Sequence, residues 1–237
     1  MSGSFLKANA RKLIFENFPR LFFITLLYII IASVVSWLTL RLPGNIDIQG
    51  MYDRLSAGEL PSITLIYSNF RLIGVFLAVL LSLFQPVLDV GFISFCLKTG
   101  RRQDTQYTDI FNGFIYFVKV MAIFIVTFTF TLLWSLLFIF PGIVAAYRYR
   151  LAYYILLDDP KKGVFQCINE SKTVMFGAKL DLLIIDISFL GWYILDITVA
   201  LLLPLPFAFP ILSVWIAPYA GLTRVGFYQQ RLDALTA

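Results

Sequence analysis

The sequence predicts an all-α integral membrane protein, with six transmembrane helices and amphipathic helices along its cytoplasmic face. Three observations predict it. The chain holds six apolar stretches, and about 20 mostly apolar residues cross a bilayer as a helix. Of its 237 residues, 59% are hydrophobic and 14% charged; a soluble domain has about 45–50% and about 25%. Mean hydropathy is +0.83. Finally, fourteen of the nineteen Lys and Arg residues lie in four short segments between the stretches.

Those basic segments set the expected orientation, because multi-pass proteins keep Lys and Arg on the cytoplasmic side. Spans are read at residues 21–42, 72–97, 116–140, 142–157, 180–203 and 207–226. The cytoplasmic segments then carry Lys7, Arg11, Lys12 and Arg20; Lys98, Arg101, Arg102 and Lys119; Lys161, Lys162, Lys172 and Lys179; and Arg224 and Arg231. Only Arg41, Arg54 and Arg71 fall on the outer side, while Arg148 and Arg150 fall within the fourth span. The expected topology has both termini in the cytoplasm. The first span is full length and lacks a small-residue cleavage site, so it reads as a retained helix.

The outer connections differ in kind. Residues 43–70 form one long loop carrying Asp47, Asp53 and Glu59, with a short helix expected at 51–57. Phe140-Pro141-Gly142 leaves room only for a tight hairpin. Pro204-Leu205-Pro206 is the third, where proline ends one helix and opens the next.

Composition also excludes functions. The net charge of +5 flanks apolar spans instead of forming a basic patch on a soluble face, so nucleic acid is excluded and anionic lipid headgroups are the expected electrostatic partner. Two cysteines, Cys96 and Cys167, make neither a disulfide framework nor a metal site. Histidine is absent, which removes the usual general base and proton relay. No Walker loop, nucleophile elbow or metal-ligand spacing is present. No catalytic residue, metal or cofactor is read from the chain.

Before each outward span comes an amphipathic stretch, at residues 4–18, 108–114 and 164–176, of the kind that lies in the headgroup plane. Arg20, Lys119 and Lys179 mark the span starts. The returning spans share features too: Pro86 precedes Asp89-Val90-Gly91-Phe92, Pro141 precedes Arg148, and Pro218 precedes Arg224-Val225-Gly226-Phe227. One reading is a single membrane domain built from three repeated helical hairpins, at 1–100, 101–160 and 161–237. The other is chance likeness within an apolar sequence.

The stretch Pro141-Gly142-Ile143-Val144-Ala145-Ala146-Tyr147-Arg148-Tyr149 is followed by Asp159-Pro160, Ser171-Lys172, Met175-Phe176-Gly177 and Asp186-Ile187-Ser188-Phe189-Leu190-Gly191-Trp192. With Pro218-Tyr219 and Phe227-Tyr228, these resemble the bacterial multi-pass membrane family known as domain-of-unknown-function family 975. A looser likeness reaches the membrane domain of some glycerophosphodiester phosphodiesterases, whose chemistry belongs to a separate soluble domain. The resemblance implies a fold and a place in the bacterial cytoplasmic membrane, and no activity.

Ionisable groups within a bilayer are costly and face protein or water. Counted from the cytoplasmic ends of their spans, Asp89 lies roughly 13 Å deep, Asp186 about 10 Å and Arg148 about 15 Å. They are expected to meet as an Arg–carboxylate cluster, read either as an ion pair that fixes helix packing or as a substrate site. Tyr147 and Tyr149 would line it, or else sit at the interface as tyrosines commonly do. Arg150 is expected elsewhere, because residues two apart face nearly opposite sides of a helix. Asp196 is expected near the outer end of its span.

Two functions fit. One is a non-enzymatic accessory or assembly protein that works on a protein partner in the membrane. The alternative is a small transporter or carrier that uses the buried cluster as its site. A membrane-embedded enzyme is disfavoured by the missing histidine and motifs.

Overall fold

A computed structural model describes residues 3–42, 56, 72–202 and 210–236. The long outer loop, with Asp47, Asp53 and Glu59, lies outside the described residues except for Ser56. The proline turn at 204–206 lies outside them entirely. The chain forms two compact units, one of Met1–Ile30 with Pro86–Ala237 and one of Ile31–Gln85.

Every described element is helical. Helix α1 spans Gly3–Glu16, α2 Arg20–Arg41, α3 Leu72–Ser82 and α4 Phe84–Gly100. A 3₁₀ turn at Tyr107–Phe111 leads into the single turn α5, Asn112–Ile115. Helix α6 spans Phe117–Leu137, α7 Ile139–Tyr149, α8 Ala152–Asp158 and α9 Val164–Val174. Helix α10 spans Lys179–Leu202 and α11 Ser213–Thr236. Among the described residues, four segments are long and apolar enough to cross a membrane: Arg20–Arg41, Leu72–Gly100, Phe117–Leu137 and Lys179–Ala200. The chain is therefore a multi-pass membrane protein.

The other two expected spans look different. The fourth is broken into α7 and α8 at Arg150–Leu151. At about 1.5 Å per residue, the 11 residues of α7 cover only roughly half of a hydrocarbon core about 30 Å thick. The sixth starts at Ser213 and runs on to Thr236, past its expected end at residue 226 and with Pro218 inside it. The hairpin between α6 and α7 also turns earlier than expected. Phe138 alone separates the helices, in extended conformation at φ −159° and ψ 152°. Pro141 then falls in the first turn of α7, where its missing N–H costs no helical bond. Gly142 lets the two helices touch, since a Cβ there would stand 2.0 Å from Ser135 Oγ.

The amphipathic stretches pack on protein. Leu6, Ala10, Leu13 and Ile14 of α1 are buried, and α1 lies along α11, with Leu6 Cδ2 3.3 Å from where a Gly226 Cβ would be. Cys167, Ile168, Ser171 and Val174 of α9 are likewise buried, against α8. The turn at 107–115 is clamped on α4: a Cβ at Gly91 would lie 1.6 Å from the Ile110 carbonyl oxygen, and one at Gly113 1.9 Å from that of Val87. Each of these stretches therefore meets protein along one side. Their aliphatic faces are buried against neighbouring elements, and Phe5, Phe15, Phe165 and Phe176 remain exposed.

The basic segments gather at one end of the larger unit. Arg102 pairs with Glu16 and Arg20 with Asp104. Arg101 binds Asp158 through two bonds of 2.7 and 2.8 Å, and Tyr228 donates to the same carboxylate at 2.7 Å. The bonds to Asp158 raise the Arg101 pKa. Lys119 donates to the carbonyls of Pro160 and Lys162 at 2.5 and 3.1 Å. Arg231 caps the end of α9 through the Val174 and Phe176 carbonyls at 3.1 and 2.9 Å, just before Gly177 turns the chain at φ +73°, a conformation that suits glycine.

Candidate functional site

The centre of the site is Asp186 on α10, with 13% of its side chain exposed. Arg224 of α11 donates to it through Nε at 2.8 Å. Tyr147 of α7 donates its hydroxyl at 3.0 Å, and a terminal nitrogen of Arg150 stands 3.9 Å away. Two guanidinium groups and a phenol thus converge on one carboxylate, drawn from α7, the break after it, α10 and α11.

Asp89 is held by other partners. It accepts a hydrogen bond of 2.7 Å from Tyr28 of α2, whose ring stacks on Phe92 with centroids 4.6 Å apart. Arg148 departs most from expectation. Its side chain is exposed, and among the described residues it has no carboxylate within 4.0 Å. It lies on the same outward face of α7 as Phe140 and Val144, which are 82% and 50% exposed. The expected cluster is therefore corrected: Arg150 and Arg224 take the place given to Arg148.

The reason is helical phase. Tyr147 and Arg150 are three residues apart and share a face, so Arg150 reaches the carboxylate that Tyr147 binds, and Arg148 is turned away. Tyr149 is buried at 7% exposure. It packs on Phe130 of α6 with centroids 6.2 Å apart, and the Lys172 ammonium lies 5.9 Å over its ring. Of the two expected lining tyrosines, Tyr147 touches the carboxylate and Tyr149 serves packing.

The break that frees Arg150 is built by Ser171. Its hydroxyl donates to the Arg148 carbonyl at 3.0 Å and accepts the Leu151 amide at 3.2 Å. A single fully buried side chain thus enters the backbone ladder and satisfies groups that the interrupted helix leaves open. Nothing in the local sequence of α7 and α8 announces this, because the partner lies twenty residues on. Arg224 had a readable signal. The helix continues through Phe227 and Tyr228 without a breaker, so Arg224 is interior to α11 and not its cytoplasmic flank.

A second acid on α10 is solved differently. Asp196, 3% exposed, accepts the Leu212 and Ser213 amides at 2.8 and 3.1 Å and also the Ser213 hydroxyl. It caps the start of α11, where helix amides and the positive end of the dipole favour an anion. Among the described residues, no group of three or more metal-ligating side chains occurs.

Residues 139–234 match the family described as protein of unknown function (DUF975), which bears out the resemblance read from the sequence over that part of the chain. The match takes in α7 through α11, and so Tyr147, Arg150, Ser171, Asp186 and Arg224. No curated protein and no solved structure matches the chain.

Proposed function

We propose that this protein is a non-enzymatic accessory or assembly protein of the bacterial cytoplasmic membrane, acting on a protein partner within the bilayer. One observation carries the reading. The Asp186 carboxylate is answered inside the protein by Arg224, Tyr147 and Arg150. A matched buried pair of this kind commonly fixes helix packing, whereas a substrate site keeps a charge in reserve. Interaction then falls to the outer surface, where exposed phenylalanines stand beside basic residues on α1 and α9.

The reading includes six spans, with the α7–α8 pair and α11 as the fourth and sixth, and both termini in the cytoplasm. The gathering of basic segments at one end supports it, because the segments that hairpins would return to one side are bonded to each other there. An introduced cysteine at Ser56 should be labelled from outside, and cysteines at Gln103 and Gln229 should not; outside labelling of the latter two ends the orientation.

The functional test uses the tagged full chain, purified in mild detergent from cells expressing it at native level. The expected result is a stoichiometric membrane partner that stays bound to Asp186→Leu/Arg224→Met. A protein that purifies alone under these conditions removes the accessory reading. The carrier reading has one specific observation in its favour. The Arg150 side chain is 48% exposed and only 3.9 Å from Asp186, a guanidinium that an anion could draw away. A double variant that folds but loses solute uptake in proteoliposomes would establish it instead.

A further inference from the structure

We propose that the break between α7 and α8 binds the phosphate of an anionic phospholipid, with Arg148 as the contacting residue and Arg150 and Lys172 as the surrounding charge. The inference concerns the outward side of the break and stands apart from either reading of the Asp186 cluster.

Charge is the first argument. Arg150 and Arg224 share the Asp186 carboxylate, and the Lys172 ammonium lies over the ring of Tyr149, the residue between Arg148 and Arg150. Arg224 takes one of the Asp186 oxygens at 2.8 Å, and Tyr147 with Arg150 takes the other. The Lys172 ammonium donates to Asn169 Oδ1, a neutral acceptor, at 2.8 Å. Arg148 has no carboxylate within 4.0 Å among the described residues. The break therefore carries a surplus of positive charge in an apolar setting, where an unanswered cation is costly.

Shape is the second. Phe140, Val144 and Arg148 follow each other four residues apart on one face of α7 and are all exposed. A lipid whose phosphate sits on the Arg148 guanidinium would lay an acyl chain along Val144 and Phe140. A guanidinium binds phosphate through two parallel N–H bonds, and the apolar stripe gives a lipid an advantage that free phosphate lacks. The Ser171 bonds to the Arg148 carbonyl and the Leu151 amide hold the backbone of the break in place whether or not a ligand is present.

Native mass spectrometry of the detergent-purified full chain tests this, with titrations of phosphatidylglycerol, phosphatidylcholine and inorganic phosphate. One phosphatidylglycerol should be retained in preference to phosphatidylcholine. Arg148→Gln should weaken that retention about tenfold, the order expected for a charge-assisted bond. Arg148→Lys should fall between, and Lys12→Gln, an exposed basic residue of α1, should stay near wild type. Equal retention by wild type and Arg148→Gln overturns the proposal. So does an equal loss in Lys12→Gln, which would mean general surface attraction. Binding of inorganic phosphate with no preference for lipid overturns the lipid as its source.

Discussion

Asp186 and Asp196 sit ten residues apart on the same apolar helix, α10, and each is made tolerable by a different device. Asp196 is neutralised by backbone amides at the start of α11, so its partner is the fold itself. Asp186 is neutralised by side chains from α7, from the break beyond it and from α11, any of which can be replaced. Backbone partners make a carboxylate a structural cap. Side-chain partners make it a junction that ties three elements and can, in principle, be rearranged. The comparison explains why the junction, and not the cap, is the candidate site.

Breaking the junction should have the larger effect. Arg224→Ala leaves a buried carboxylate without its closest cation, a loss of about 3–5 kcal/mol, read as a lower melting temperature in detergent. Asp186→Leu/Arg224→Met should recover most of it, since matched apolar replacement of a buried pair is often neutral or stabilising. If Arg224→Ala melts with the wild type, the junction does not hold the helices.

Next comes the support beneath the junction. Ser171→Ala leaves the Leu151 amide and the Arg148 carbonyl unanswered, at about 1–3 kcal/mol. Ser171→Thr, which keeps the hydroxyl, should lose less if the site accepts one methyl group. Faster hydrogen exchange at Leu151 in the alanine variant would confirm where the loss arises; unchanged exchange there would contradict the role given to Ser171.

The cap should prove smaller and independent. Asp196→Ala removes an N-cap worth about 0.5–2 kcal/mol. Its effect should add to that of Arg224→Ala, because the two acids are roughly 15 Å apart along α10 and share no partner. Strong non-additivity would show that they act as one network. Smallest of all is Arg148→Ala, whose exposed side chain has no ion pair to lose. Its melting temperature without added lipid should match wild type within about 0.5 kcal/mol; a large loss would restore Arg148 to the buried cluster.

How far the site could be read follows from the kind of information each residue needs. Asp89 and Asp186 stand out because a carboxylate in an apolar run is visible by itself. Depth along a span, however, says nothing of azimuth, so Arg148 and Arg150 could not be told apart by depth. Their shared spacing with Tyr147 held the answer. Arg224 was counted with the cytoplasmic basic residues although it fell inside the sixth expected span, and nothing in Arg224-Val225-Gly226-Phe227 stops a helix.

By itself the sequence determined what depends on composition and short range. Four long apolar helices follow from bilayer thickness and residue type, the tight α6–α7 hairpin from Pro141 and Gly142, and the segregation of Lys and Arg from the cost of moving them through lipid. Only the tertiary structure decided which face of each helix meets which neighbour. Ser171 opens the fourth expected span from a helix twenty residues away, Arg224 reaches Asp186 across thirty-eight, and α1 gives its aliphatic face to α11 instead of the lipid. Each of these depends on packing between elements distant in sequence, where a rotation of 100° per residue decides whether a charge meets its partner or the bilayer.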